Sequence, residues 1–220
     1  MTLRRTLLLL LLLLLLIILP GLFMAYALLF YSDVPVDPKW AVPRSETVPQ
    51  GAVTVRFSGT ATLLFSDGET TWMVDGWFSR PGPLRLLLGK ISPDLQAIAR
   101  GLAANEILEL DAVLPVHSHY DHAMDAPEVA DRTGALLLGS PSTANIARGW
   151  GLPESQIEVL TDRKPVRVGA FVITPVEFRH FQFPDPAMRE RTLGKPLISE
   201  PLVPPSVPLI TAWVRPMCCM

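Results

Sequence analysis

The chain has 220 residues, with 19 Lys and Arg set against 21 Asp and Glu, a formal net charge of −2. That balance argues against a nucleic-acid surface, because counterion-driven binding needs clustered basic side chains. Apolar residues make up 49%, which excludes a disordered charged chain, and only two cysteines, Cys218 and Cys219, exclude a disulfide-stapled miniprotein.

Mean hydropathy is +0.33, and its local cause is the unbroken leucine run from Leu7 to Leu16. No charge occurs from Thr6 to Ser32, and Arg4 and Arg5 stand just before. A helix through this stretch would be about 40 Å long, enough for a hydrocarbon core of about 30 Å. The two arginines place the N-terminus on the cytoplasmic side and everything after Ser32 on the exported side. A cleaved signal peptide competes with this anchor. Leu7 to Leu19 would be its apolar region, Pro20-Gly21 would break it, and Ala25-Tyr26-Ala27 fits the small-x-small cleavage pattern. The sequence stays apolar through Leu28, Leu29 and Phe30, which favours the uncleaved form. Residues 1–31 are therefore expected to be a signal-anchor or a signal peptide cut near Ala27, with the remainder exported either way.

Residues 32–51 are Pro-rich and lack apolar periodicity, as in an extended linker. Val53, Val55 and Phe57 then alternate with Thr54 and Arg56, which predicts a half-buried strand. Thr62 to Phe65 and Thr71 to Val74 flank the turn sequence Ser66-Asp67-Gly68-Glu69, which predicts a hairpin. Ser92-Pro93-Asp94 predicts a helix start with Pro93 at the first helical position, continued by Leu95, Ile98, Ala99 and Leu102. Asp111 to Val116 reads as a buried strand leading into His117. A helix over Ala126 to Arg132, a strand over Ala135 to Leu138 and a helix over Ser142 to Trp150 follow. Val166 to Val168 and Phe171 to Val176 predict a second hairpin turning at Gly169-Ala170. Strands alternating with helices predict an α/β layered domain. After His180 prolines dominate, and no paired strands are expected.

Three of the chain's four histidines stand in His117-Ser118-His119-Tyr120-Asp121-His122, and the fourth, His180, ends a later strand-like segment. Residues i and i+2 of an extended backbone face the same side, so His117 and His119 can present imidazoles to one point. Where the chain leaves the strand, Asp121 and His122 can turn toward a second point nearby. Imidazoles and a carboxylate suit a borderline ion such as zinc, and metal-activated water supplies hydroxide near neutral pH.

His-x-His-x-Asp-His after an apolar strand resembles the metallo-β-lactamase superfamily, over roughly Val53 to Pro205. The extension to Asp125 looks most like its lactonase-like and N-acyl-phosphatidylethanolamine phospholipase D-like branches. The resemblance implies an αβ/βα sandwich over residues 52–205, followed by an atypical tail, 206–220. It also implies that His117, His119 and His180 hold one metal and that Asp121 and His122 hold a second. Asp75, in Val74-Asp75-Gly76, looks like the family's early strand-end aspartate and would orient a ligand from behind; a plain turn residue is the alternative. The family's later bridging Asp and later His have no counterpart after His180, where Asp185 is the lone Asp and no His follows. The second half of the sandwich and the second metal site are therefore expected to be incomplete. Trp72, Trp77 and Phe78 are expected in the core, and Tyr120 either contacts substrate or packs in its loop. With no phosphate loop or Gly-x-Ser-x-Gly elbow, nucleotide-binding and serine-hydrolase readings fall away.

The resulting expectation is a membrane-tethered hydrolase with one or two zinc ions, acting on an ester, lactone, amide or phosphodiester bond of a small-molecule or lipid-like substrate. Asp121 would orient the attacking hydroxide. The alternative is a truncated, inactive metal-binding or misfolded product of a disrupted hydrolase gene.

Overall fold

A computed structural model of the chain describes residues 3–30, 49, 51–82, 85–86, 89–177, 184–186, 197–206 and 217–219. Two compact units are present, Met1–Thr47 and Val48–Met220. In the first, helix α1 (Leu3–Phe30) includes a span, Arg4–Ala27, with a mean hydropathy of 3.2, long and apolar enough to cross a membrane. The break expected at Pro20-Gly21 does not occur, because the helix runs on through Pro20. The long stretch of strong helix formers before it offsets the one backbone donor that proline removes.

The second unit is built on a six-stranded sheet in sequence order. Its strands are β1 (Thr54–Phe57), β2 (Leu63–Ser66), β3 (Thr71–Val74), β4 (Ala112–Leu114), β5 (Leu136–Gly139) and β6 (Ile157–Val159). β1, β2 and β3 are antiparallel neighbours; β3 through β6 run parallel. The β2–β3 turn follows from Asp67, whose Oδ1 accepts from the Glu69 amide at 3.0 Å and the Thr70 amide at 2.7 Å. Gly68 supplies the positive φ of 97° that the turn needs. In β4, Ala112, Val113 and Leu114 are fully buried, as a parallel strand covered on both faces requires.

The crossovers are helices. α2 (Leu95–Ala104) starts from Asp94, whose carboxylate accepts from the amides of Gln96 and Ala97. Pro93 therefore precedes the cap rather than opening the helix, because a carboxylate there satisfies two orphan donors. A short helix, α3 (Tyr120–Ala123), grows out of the histidine motif itself. α4 (Ala126–Thr133) stops at Gly134, in the left-handed region at φ 71°. α5 (Pro141–Trp150) has Ser140 as its cap and Pro141 at its first position.

On one sheet face Met73, Val113 and Leu137 pack with Ile98, Leu102, Val129 and Ala147 of the helices. On the other, Trp72, Leu114 and Leu138 pack with Val168 and Ile173 from the hairpin β7 (Val166–Val168) and β8 (Phe171–Ile173). Val55 pairs with Phe65 and Phe65 with Trp72, so β1 turns its apolar side chains to this second face. The expected half-burial of β1 is not found: Val53, Val55 and Phe57 are 50%, 55% and 66% exposed. The hairpin's packing contacts fall on Phe65, Trp72, Leu114 and Leu136, strands further in, and do not include these three.

The region after His180 also departs from expectation. β10 (Met217–Cys219) pairs antiparallel with β9 (Pro175–Glu177), using backbone groups that need no apolar pattern. The segment at Leu197–Ser206 is held to the domain by backbone bonds: Leu202 N to Asn145 O at 3.0 Å, and Ile91 N to Ser206 O at 2.7 Å. Its Leu202 carbonyl lies where only a glycine fits, since a Cβ on Gly149 would come within 2.1 Å of that oxygen.

Candidate functional site

β3 and β4 run parallel, so both end at one edge, the edge where parallel sheets bind ligands. Beyond β3 the chain enters the left-handed region at Asp75 (φ 61°) and Gly76 (φ 72°). A non-glycine residue there carries backbone strain, which persists where surrounding contacts over-determine it. The contacts are present. Asp75 N donates to Leu114 O at 3.0 Å, and the turn drives the fully buried carboxylate under the exit of β4.

That carboxylate holds two groups. Oδ1 accepts from Val116 N at 2.9 Å, and Oδ2 lies 2.7 Å from His122 Nδ1. A carboxylate only accepts, so His122 donates from Nδ1 and presents Nε2 on its other side. Burial pulls the His122 imidazole down, but the hydrogen bond and charge of Asp75, and then the charge of Asp121, together hold it above its ordinary value. Asp75 thus makes the contact with a histidine that its strand-end position suggests, while also serving the turn.

His117 and His119 meet nitrogen to nitrogen, Nε2 to Nδ1, at 2.8 Å. The His117 ring lies 4.0 Å from that of His122, centroid to centroid, and Asp121 Oδ2 is 3.9 Å from His122 Nε2. The local cause is α3. His119 caps it, and the amides of His122 and Ala123 donate to the His119 carbonyl, which folds Asp121 and His122 back beside His117. Two imidazole nitrogens on one tetrahedral zinc stand about 3.3 Å apart, given Zn–N bonds of about 2.0–2.1 Å. The observed pair needs to open by about half an ångström to take the ion. The donors fit zinc in kind and, with that small opening, in position. As they stand, no three metal-ligating side chains among the described residues form a ready cage. His180, expected to be the third imidazole, lies outside the described residues.

Asp125, quoted above only as part of the motif, has a structural task. Its Oδ2 accepts from Phe78 N at 2.8 Å and Ser79 N at 2.5 Å, and Oδ1 from Ser79 Oγ at 2.7 Å. Ser79 Oγ in turn accepts from Asp94 N at 2.7 Å, so one carboxylate ties the loop after β3 to the starts of α2 and α4. Burial pushes Asp125 up to about 6, against the opposing pull of these bonds and of Arg80. Asp125 stands at the cap position of α4 yet makes no cap bond. Tyr120 packs edge-on to Trp77 at 5.9 Å, and the Arg80 guanidinium sits 4.1 Å over the Trp77 ring. The hydroxyl of Ser118, between the first two histidines, is buried and has no hydrogen-bond partner among the described residues.

The site and sheet define a class. The model of the beta-lactamase superfamily domain matches residues 74–197, more than half of the chain, and the chain belongs to that family. A UPF0173 metal-dependent hydrolase of Myxococcus xanthus is 32% identical over 108 residues, covering 49% of this chain and 32% of the relative. Another, from Methanopyrus kandleri, is 32% identical over 90 residues, covering 41% and 38%. The matched region thus spans between about a third and two fifths of these relatives' own length. Among solved structures, a metallo hydrolase from the archaeon Ignicoccus hospitalis overlaps 58% of this chain and 49% of its own, at 20% identity and a TM-score of 0.43.

Proposed function

We propose that this chain is a membrane-tethered, zinc-dependent hydrolase of the exported compartment, acting on an ester, lactone, amide or phosphodiester bond. The observation that carries the reading is the clamp of Asp75 on His122 beside the His117–His119 nitrogen pair, at the shared end of β3 and β4. His117, His119 and His180 would hold one ion; His122 and Asp121 would hold a second or complete the first. The ion, when bound, supplies Lewis acidity and lowers the pKa of its water toward 7. The chain's residues do the rest. Asp75 fixes the His122 tautomer, so that imidazole enters the reaction with its lone pair already aimed. The partly exposed Asp121 carboxylate, 3.9 Å from His122 Nε2, would orient the attacking hydroxide. The apolar α1 and the Arg4-Arg5 pair before the leucine run support the tether and its orientation.

The test is turnover by the full chain in nanodiscs, supplied with zinc, on a panel covering the four bond types. Hydrolysis of at least one class, abolished by chelation and by His117→Ala, is expected, with Asp121→Asn slowed at least 100-fold. Rates equal to those of the His117→Ala protein on every substrate would contradict the reading. A reporter active only after export, fused at Gly51, should be active; a silent one would contradict the orientation.

A further inference from the structure

Three segments reach the sheet edge where the histidines stand: the turn between β1 and β2 (residues 58–62), the loop after β3 and the exit of β4. The first two are tied together, since Trp77 N donates to Thr62 Oγ1 at 3.0 Å. Arg80 lies where they meet. It is exposed, yet its guanidinium is held in place. Nη1 donates to the carbonyls of Trp77 and Ser79, each at 2.8 Å, and the group rests 4.1 Å over the Trp77 ring. Trp77 in turn meets the ring of Tyr120, the neighbour of Asp121.

These contacts occupy one nitrogen and one face of the guanidinium. Nε and Nη2 bond to no described residue. Asp125, whose charge acts on Arg80, is bonded to Phe78 and Ser79 instead. Nε and Nη2 form the planar fork that matches the paired oxygens of a carboxylate or phosphate. An arginine with a purely structural task turns that fork to a protein carboxylate, and a solvated one swings freely. Arg80 does neither. Its fork is fixed in advance, so an arriving anion orders little that is not already ordered. The turn beside it leaves the fork open: a Cβ on Gly59 would stand 3.3 Å from Nη2. To come this close, the backbone is left-handed at Gly59 (φ 101°) and at Thr60 (φ 55°). Such a conformation is an outlier for a β-branched residue, and outliers of this kind cluster at ligand sites.

We propose that the Nε–Nη2 fork of Arg80 binds an oxyanion, a carboxylate or phosphate, carried by the substrate at a distance from its scissile bond. The Trp77 and Tyr120 rings set that distance. The substrate's part rests on the hydrolase reading; anion binding by Arg80 does not. A soluble acid and a lipid headgroup phosphate present the same oxygens to the fork.

The experiment treats the full chain, in zwitterionic nanodiscs with and without zinc, with phenylglyoxal and follows each arginine by peptide mass spectrometry. Glutarate and phosphonobutyrate should each slow modification of Arg80 about five-fold or more, and neutral glutaramide should not. Arg163 serves as the unprotected control. Turnover is then compared on the nitrophenyl esters of glutaric, phosphonobutyric and glutaramic acids. The anionic esters should exceed the neutral one about ten-fold in kcat/KM, chiefly through KM. Arg80→Gln should bring that ratio to about one, and Arg80→Lys should keep part of it, because a charge remains without the fork. Dihexanoylphosphatidic acid set against dihexanoylglycerol forms the lipid arm, and discrimination there alone would assign a headgroup phosphate as the source. Equal modification of Arg80 under glutarate and glutaramide would overturn the anion site, whether or not any variant folds. Protection of Arg80 with no ester hydrolysed would sink the hydrolase reading and leave the anion site standing.

Discussion

The two faces of the central sheet are finished differently. Beneath the helices, Met73, Val113 and Leu137 are fully buried against side chains from three crossovers. On the opposite face the hairpin β7–β8 packs against Phe65, Trp72, Leu114 and Leu136, and Val53 together with Val55 and Phe57 of β1 stays exposed. Parallel crossovers force helices onto the sheet wherever β3 through β6 run, whereas the antiparallel β1–β2 arm brings no covering element with it. The site grows from the sealed region. Asp75 can hold its strained turn because Met73 and Val113 press against Gly76, where a Cβ would stand 3.3 Å from each.

The contrast can be broken most forcefully on the sealed face. Met73→Ala should cost about 2–5 kcal/mol of stability, measured by denaturant titration, because the cavity lies among fully packed neighbours.

Next is Asp125, which joins the sealed face to the loop carrying Ser79. Its carboxyl is raised by burial to about 6, so between pH 4 and 6 the folded state holds a proton that the unfolded state has released. Its contribution is therefore fully present below about pH 4 and lost as pH rises through 6, by up to about 3 kcal/mol. Asp125→Asn should remove that slope from a plot of stability against pH.

A smaller effect is expected where Leu202 crosses α5. Gly149→Ala would force a Cβ to within 2.1 Å of a backbone oxygen that cannot swing aside. A loss of about 1–3 kcal/mol should follow, with faster proteolysis near residues 197–206.

The smallest change belongs to the open face. Phe57→Ser, at an exposed position, should shift stability by no more than about 0.5 kcal/mol and improve solubility. A cost equal to that of Met73→Ala would mean β1 is covered in solution.

Much of this was legible in the residues. The β2–β3 hairpin announced itself through Asp67-Gly68, and α4 and α5 were expected over Ala126 to Arg132 and Ser142 to Trp150, close to where they lie. β4 and the motif after it followed from an apolar run ending in His117. β6 was not legible, because Ile157–Val159 has no flanking turn signal and a half-exposed pattern. β10 was not either, since a three-residue strand pairs through backbone alone. The alternation in β1 marked a strand correctly but said nothing of what would cover it. In sequence Asp75 could orient a ligand or simply build a turn; the left-handed turn is present, and the carboxylate contacts His122, a partner the sequence did not name.

Zinc affinity of the full chain, set beside that of Asp75→Asn, tests the central claim most directly. An asparagine can still accept from Val116 N, but its amide would donate toward His122 Nδ1 and turn the ring's lone pair away from Nε2. The account predicts one tightly held zinc and a second, weaker one at His122 and Asp121, with affinity for the second lowered about 10- to 100-fold in the variant and the fold intact by circular dichroism. Equal zinc affinity in the two proteins would show that Asp75 merely builds a turn and that His122 faces no metal.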